Sequence, residues 1–236
     1  MKKLISLILG IAFIYSCSTS NDGNGNTSTP VTDVDGNTYQ TVVICNQTWT
    51  KTNLNVSKYR NGDVIPQVTD PVQWASLSTG AWCYYNNDPA NGATYGKIYN
   101  NYAVIDPRGI APVGYHIPTL EEWVLMLNCL DPNSAGGNAP YDNAAGGAMK
   151  ETGHTHWSSL NQGATNSSGF TGLPGGQRET NGTFSGINNI GIWWGIGDPT
   201  ITYNFNFIFY ISNHTASAFR STRLRSYGLS VRCIKD

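Results

Sequence analysis

The chain has 236 residues, a formal net charge of −1, and only 12% charged residues. That balance excludes a strongly basic nucleic-acid binder. It also leaves stability to an apolar core and hydrogen-bonded loops rather than to ion pairs, in a length that suits one domain with a leader.

Lys2 and Lys3 precede a short apolar run, Leu4 to Tyr15, which is too short to span a bilayer comfortably. Ile14-Tyr15-Ser16-Cys17 resembles a bacterial lipobox, with cleavage before Cys17 and a lipid on its thiol. Residues 1–16 are therefore expected to be a lipoprotein signal peptide and 17–32 a flexible tether, because Ser18 to Thr29 contains no apolar residue. Residues 33–236 are expected to form the folded domain. The expected location is the bacterial outer membrane, lipid-anchored through Cys17 and facing the cell surface. Four cysteines remain: Cys45, Cys83, Cys129 and Cys233. An even number in an exported chain predicts two disulfides, with all three pairings open. Their spacing fits no zinc pattern.

In chain order, Asp35-Gly36-Asn37 is a turn, and Thr38 to Ile44 has the β-branched content of a strand. Cys45-Asn46-Gln47 turns it back into Trp49, which completes a hairpin. Asp70-Pro71 is an N-cap followed by proline at the first helical position, so Val72 to Leu77 is predicted helical. Trp82 to Tyr102 is crowded with tyrosines and Asn/Gly turns and reads as irregular but ordered. Thr119 and Glu122 form a capping box, and Leu120, Trp123, Val124 and Leu127 recur on one helical face. Asp131 to Gly147 reads as a surface loop. Phe170 to Pro174 is a short apolar piece that Gly175-Gly176 turns, and Asn181-Gly182 turns a hairpin between Gln177–Thr180 and Thr183–Ile187. Ile192-Trp193-Trp194 is a core strand, with one tryptophan inward and the other outward. Ile201, Tyr203, Phe205, Phe207, Phe209 and Ile211 alternate onto one face, and Tyr227 to Cys233 is the last strand. The sum is an α+β domain with few short helices, many short antiparallel strands and long loops.

Several motifs occur in a characteristic order. They are Gly96-Lys97-Ile98-Tyr99-Asn100, Gly114-Tyr115-His116-Ile117-Pro118 with Glu122-Trp123, Leu173-Pro174-Gly175-Gly176, Trp193-Trp194 and Gly228-Leu229-Ser230-Val231-Arg232-Cys233. Together they resemble the Fibrobacter succinogenes major paralogous domain over about Asp35 to Asp236. The resemblance implies a C-type-lectin-like fold, related to the formylglycine-generating-enzyme type, in an exported lipoprotein with no established enzymatic activity. Where many members carry a cysteine, this chain has Ala111, so the usual bridge from that site to the position of Cys233 is absent. The resemblance then points to Cys129 as the partner of Cys233.

The stretch Phe207 to Arg225 also departs from the family, and its substitutions resemble those of variable lectin-like proteins diversified at asparagine codons. A diversifiable binding face follows as a hypothesis, beside ordinary loop drift. The candidate ligand contacts are Trp194, Phe207, Tyr210, Phe219, Arg220 and Arg223.

His154 and His156 could begin a metal site but lack a third ligand, so a surface histidine and a hydrogen-bonded one explain them first. No cofactor is implied. Calcium is the one candidate, through Asn86-Asn87-Asp88 or Asn188-Asn189 with Asp198, although turn preference accounts for such asparagines. The reading is a non-catalytic surface protein that recognises a protein or glycan, with no nucleic-acid partner. The alternatives are an enzyme of the formylglycine-generating type and a structural surface or matrix protein.

Overall fold

The structure, a computed structural model, describes residues 29–138, 143–197 and 204–236. The expected signal peptide, Cys17 and most of the tether lie outside the described residues, as do Asp198, Ile201 and Tyr203. Strands β1 (Val31–Thr32) and β2 (Thr38–Tyr39) pair antiparallel, so pairing begins within the stretch assigned to the tether. The Asp33 carboxylate holds their turn by accepting from the N–H groups of Asp35 and Asn37 and from the Tyr39 hydroxyl. β3 (Thr41–Ile44) and β4 (Gln47–Thr50) form the expected hairpin, with Cys45 and Asn46 at positive φ in its two-residue turn.

Helix α1 (Pro71–Ala75) starts as read, with the Asp70 carboxylate accepting from Gln73 N–H. The aromatic stretch after it is more regular than expected. It holds β5 (Trp82–Cys83), α2 (Pro89–Tyr95), β6 (Ile98–Asn100) and α3 (Asn101–Val104). Asp88-Pro89 opens α2 by the same cap-and-proline device that opens α1. β7 (Tyr115–His116) then leads into α4 (Leu120–Leu130). The capping box is complete: Glu122 N–H donates to Thr119 Oγ1 at 3.2 Å, and Thr119 N–H donates to Glu122 Oε2 at 2.8 Å. Trp123, Met126 and Leu127 are buried, while Leu120 and Val124 are only partly so. α5 (Ala145–Met149) lies where a surface loop was expected. Its small residues are a contact surface: a Cβ on Gly146 would sit 2.2 Å from the Ser217 carbonyl oxygen.

The rest is strand: β8 (Gly175–Arg178), β9 (Phe184–Ile187), β10 (Ile190–Trp194), β11 (Phe205–Ser212), β12 (Ala218–Leu224), β13 (Gly228–Leu229) and β14 (Ile234–Lys235). Gly175-Gly176 therefore begins a strand instead of turning one. The single last strand expected from Tyr227 to Cys233 is split between two sheets. β13 lies between β6 and β8, whereas β14 lies between β4 and β7. The order β3-β4-β14-β7 thus brings both ends of the domain into one sheet, beside β5-β6-β13-β8-β9 and β10-β11-β12. The architecture is α+β, with short helices and antiparallel strands in several sheets.

Sheet β10-β11-β12 is covered on both faces. Ile192, Trp194 and Ile208 belong to one buried cluster, and Trp193, Phe209 and Ile211 to another. Both tryptophans are therefore inside, and the expectation of one outward ring fails because neither face of the strand meets water there. All seven tryptophans are buried, which leaves none to stack on a sugar ring from solvent. Each large ring removes about 150–250 Å² from water. At about 25 cal/mol per Å² that contributes about 4–6 kcal/mol before ordering entropy is subtracted.

Charges are also inside. Lys150, Arg178 and Arg232 are buried, and each spends its N–H groups on oxygens that carry no formal charge. Arg178 donates to the carbonyls of Val68, Thr69 and Gly182, with its guanidinium 4.3 Å from the centre of the Trp74 ring. These cations tie loops together where regular strand pairing is sparse.

A disulfide joins Cys45, in the β3–β4 turn, to Cys129, near the end of α4. The expected second bridge does not form: Cys83 and Cys233 are free and buried. The Cys129–Cys233 pairing is corrected too. Cys129 is exposed on α4 beside the hairpin turn, while Cys233 is sealed in the cluster that also holds Ala111.

Candidate ligand-binding site

A cavity of about 480 Å³ opens where the end of β10, the start of β11 and the segment after β12 meet the loop that follows α3. The elements are fixed by backbone bonds around α4. Ile196 N–H donates to the Pro118 carbonyl at 2.9 Å, and Leu120 N–H to the Ile196 carbonyl at 2.8 Å. Asn206 then clamps β11 to the exit of β10, since its Oδ1 accepts from Gly197 N–H at 3.0 Å. Gly197 is required for closeness: a Cβ there would be 2.9 Å from a Phe207 ring carbon.

The walls are mainly apolar, with Val104, Ile105, Ile110, Ile117 and Ile196 facing the rings of Phe205 and Phe207. Phe205 is 42% exposed, which marks the open side. Arg60, Asp106, His116, Asn206 and Arg225 supply the polar groups. Arg60 donates to the carbonyls of Ala111, Pro112 and Tyr115. Asp106 receives two bonds from the Arg108 guanidinium, at 2.9 and 2.8 Å, and Arg108 holds its carboxyl below the usual range. His116 links Glu122, at 2.9 Å, to Asp236, at 2.8 Å. Arg225 is pinned by its backbone, which donates to the Asn204 carbonyl and accepts from Asn101 N–H. Its side chain makes no hydrogen bond or ion pair to any described residue, and its Nε is buried.

Of the six residues singled out from sequence, only Phe207 lines this cavity. Strand alternation divides the six. Phe207 and Arg220 share one face of the sheet, while Trp194, Tyr210, Phe219 and Arg223 share the other. Trp194 is fully buried, with Nε1 donating to the Tyr99 carbonyl, so it is a core residue and not a ligand contact. Phe219 is buried and stacks on Tyr210 at 5.1 Å. Arg220 Nε donates to Asn138 Oδ1 at 2.7 Å, and the Arg223 guanidinium lies 5.4 Å from the centre of the Tyr227 ring. The stretch Phe207 to Arg225 is not one loop. It comprises most of β11, all of β12 and their connection, and Ile208, Phe209, Ile211 and Ala218 are core.

Arg225 and Asn206 were missed. The available signal was charge density: Arg220, Arg223 and Arg225 fall within six residues of a charge-poor chain.

The remaining candidates are structural. Asp88 caps α2, Asn87 Nδ2 donates to the Thr69 carbonyl, and Asn188 Oδ1 accepts from the Tyr95 hydroxyl. Asn86, Asn87 and Asn188 all have positive φ, which is the turn role of asparagine. His156 Nδ1 bonds Glu151 at 2.9 Å, and His154 is exposed. Among the described residues no group of three or more His, Cys, Asp or Glu side chains comes together. Nor is any helix among them long and apolar enough to cross a membrane. Neither free thiol lines the cavity. Burial pushes the Cys83 thiol up to about 11 and raises that of Cys233 further.

The sequence profile of the Fibrobacter succinogenes major domain matches residues 42–235. No curated protein and no solved structure matches the chain.

Proposed function

The chain belongs to the Fibrobacter succinogenes major domain family, and from that membership we propose that it is a lipid-anchored bacterial surface protein whose domain recognises a protein or glycan without altering it chemically. The observation that carries this reading is the cavity at the open end of β10-β11-β12, whose apolar walls and few convergent polar groups have the composition of a ligand site. The placement of the free thiols supports binding over reaction. Formylglycine-type chemistry needs a reactive cysteine pair at a groove, whereas Cys83 and Cys233 occupy separate buried clusters with raised thiol pKa values.

A C-type-lectin-like fold is part of the same proposal. Its support is the meeting of both domain ends in one sheet, the bridge from that sheet to the central helix, and long loops elsewhere. Any diversification of the C-terminal stretch is confined by packing to positions outside the core, such as Phe207, Thr222 and Arg223. Coding changes in sibling genes that fall on core and exposed positions alike sink that part.

The test has two halves. Metabolic labelling with an alkyne fatty acid should mark the full chain, Cys17→Ala should lose the mark, and protease added to intact cells should remove the domain. The full chain is then probed on glycan arrays and with surface-protein extracts, with and without calcium. Binding that is lost in Phe207→Ala, with the ligand recovered unchanged, supports recognition at this face. A chemically altered ligand overturns the non-catalytic reading.

A further inference from the structure

We propose that the cavity takes a small amphiphilic carboxylate, with an aromatic or alkyl body between Phe207 and Ile110 and its single carboxylate on Arg225. This rests on the recognition reading above and names the ligand class of the same site.

Among the described residues that line the wall, every charged group but one already has a partner. Arg60 is saturated by three backbone carbonyls. Asp106 is matched by the fork of Arg108, and His116 by Glu122 and Asp236. Arg225 alone keeps a guanidinium with no bond to any described residue. Among the described residues the cavity therefore presents one uncompensated positive charge between apolar walls, which is complementary to one negative charge on an apolar ligand.

A second observation gives the polarity of the missing partner. Three buried side-chain atoms at this end lack a partner among the described residues, Arg225 Nε, Arg223 Nε and Asn101 Nδ2, and all three are donors. Arg225 and Asn101 belong to one unit. Asn101 N–H donates to the Arg225 carbonyl at 2.9 Å, and Asn206 Nδ2 reaches Asn101 Oδ1 at 3.4 Å. Buried donors without acceptors leave this part of the wall electropositive, which favours an acceptor-rich ligand over one that brings further donors. A carboxylate is acceptor-only and matches the planar fork of arginine, whereas a sugar hydroxyl brings its own donor and no charge. A dianionic phosphate is a poorer match, because no second free cation stands in the wall among the described residues. The volume of about 480 Å³ holds a small molecule, or one acidic group that a larger protein or glycan ligand inserts, rather than a length of chain. Backbone bonds on both sides fix the point from which the Arg225 side chain leaves the wall.

The test uses the full chain and calorimetric titration with octanoate and 4-phenylbutyrate, their neutral amides, and phenyl phosphate. The acids should bind at least about tenfold tighter than the amides, since hydrogen bonds to a charged partner are the strong ones. Arg225→Met should bring the acids down to the amide level without changing the circular dichroism spectrum, and Arg225→Lys should restore part of the difference. Equal binding of acid and amide overturns the assignment to Arg225, as does an unchanged acid affinity in Arg225→Met. Tighter binding of phenyl phosphate overturns the monoanion. If none of these probes binds the wild type, the carboxylate proposal falls. The recognition reading then stands or falls separately on its glycan and surface-protein assays.

Discussion

Arg232 holds Phe170 twice: its guanidinium carbon lies 4.3 Å from the centre of the ring, and its Nη1 donates to the Phe170 carbonyl at 2.9 Å. The same side chain donates to the carbonyls of Thr50 and Thr171 and to Asn53 Oδ1. One residue near the C-terminus thereby fixes the end of β4 and the segment before β8. Arg232→Met strands buried carbonyls without donors and should cost about 3–5 kcal/mol. Arg232→Lys should recover little of it, since an ammonium cannot reproduce the forked geometry. Urea denaturation reads both, and a loss under about 1 kcal/mol for the methionine variant contradicts this role.

Lys150 carries a pH dependence. Its Nζ donates to the carbonyls of Gln162, Ser212 and Thr215, yet burial pulls its pKa from the ordinary 10.5 down to about 8. Between those values the unfolded chain holds a proton that the native state has released, so this group's contribution to stability rises with pH. It is lost again as pH falls through about 8. The stability difference between wild type and Lys150→Met should climb from pH 7.5 to 10, by at most about 3 kcal/mol. A difference that is flat across that range refutes the shift.

The four cysteines of the described residues should divide two and two. In the native protein iodoacetamide should label neither Cys83 nor Cys233, because both are buried with raised thiol pKa values. Denaturant alone should expose those two, and Cys45 and Cys129 should label only after reduction. Peptide mass mapping reads the pattern. Losing the bridge in Cys129→Ser should cost about 2–4 kcal/mol, since it closes a loop spanning 84 residues.

Trp194→Phe separates a core role from a binding role. The change removes the bond from Nε1 to the Tyr99 carbonyl and leaves space in the first cluster. It should lower stability by about 2–4 kcal/mol and leave the affinity for any cavity ligand within about twofold. Affinity that collapses while stability holds would return Trp194 to the site.

Local chemistry made much of the fold legible. The capping box at Thr119 and Glu122, the Asp70-Pro71 helix start and the Asn181-Gly182 turn are each complete within a few residues, and each stands as read. Asp88-Pro89 carried the same signal as Asp70-Pro71 and was hidden only by the aromatics around it. The segment holding α5 misled because Ala and Gly read as loop when they are in fact the surface of close approach to Ser217. The site was less legible. Alternation along β11 and β12 was clear, but it separates Phe207 from Tyr210, and no local pattern tells which face closes over a core and which end opens.

By itself the sequence determined the family, the α+β class, and the helix and turn starts, because these depend on neighbours three or four residues away. Only the tertiary structure decided that both Trp193 and Trp194 are buried, that Cys129 meets Cys45, and that Arg225 lines an apolar cavity with no counter-ion among the described residues. Those three depend on which distant elements cover a sheet face, approach a helix end or leave a charge unpaired. Such contacts span from 84 residues between the bridged cysteines to 124 between Asn101 and Arg225, a separation over which periodicity and capping carry no information.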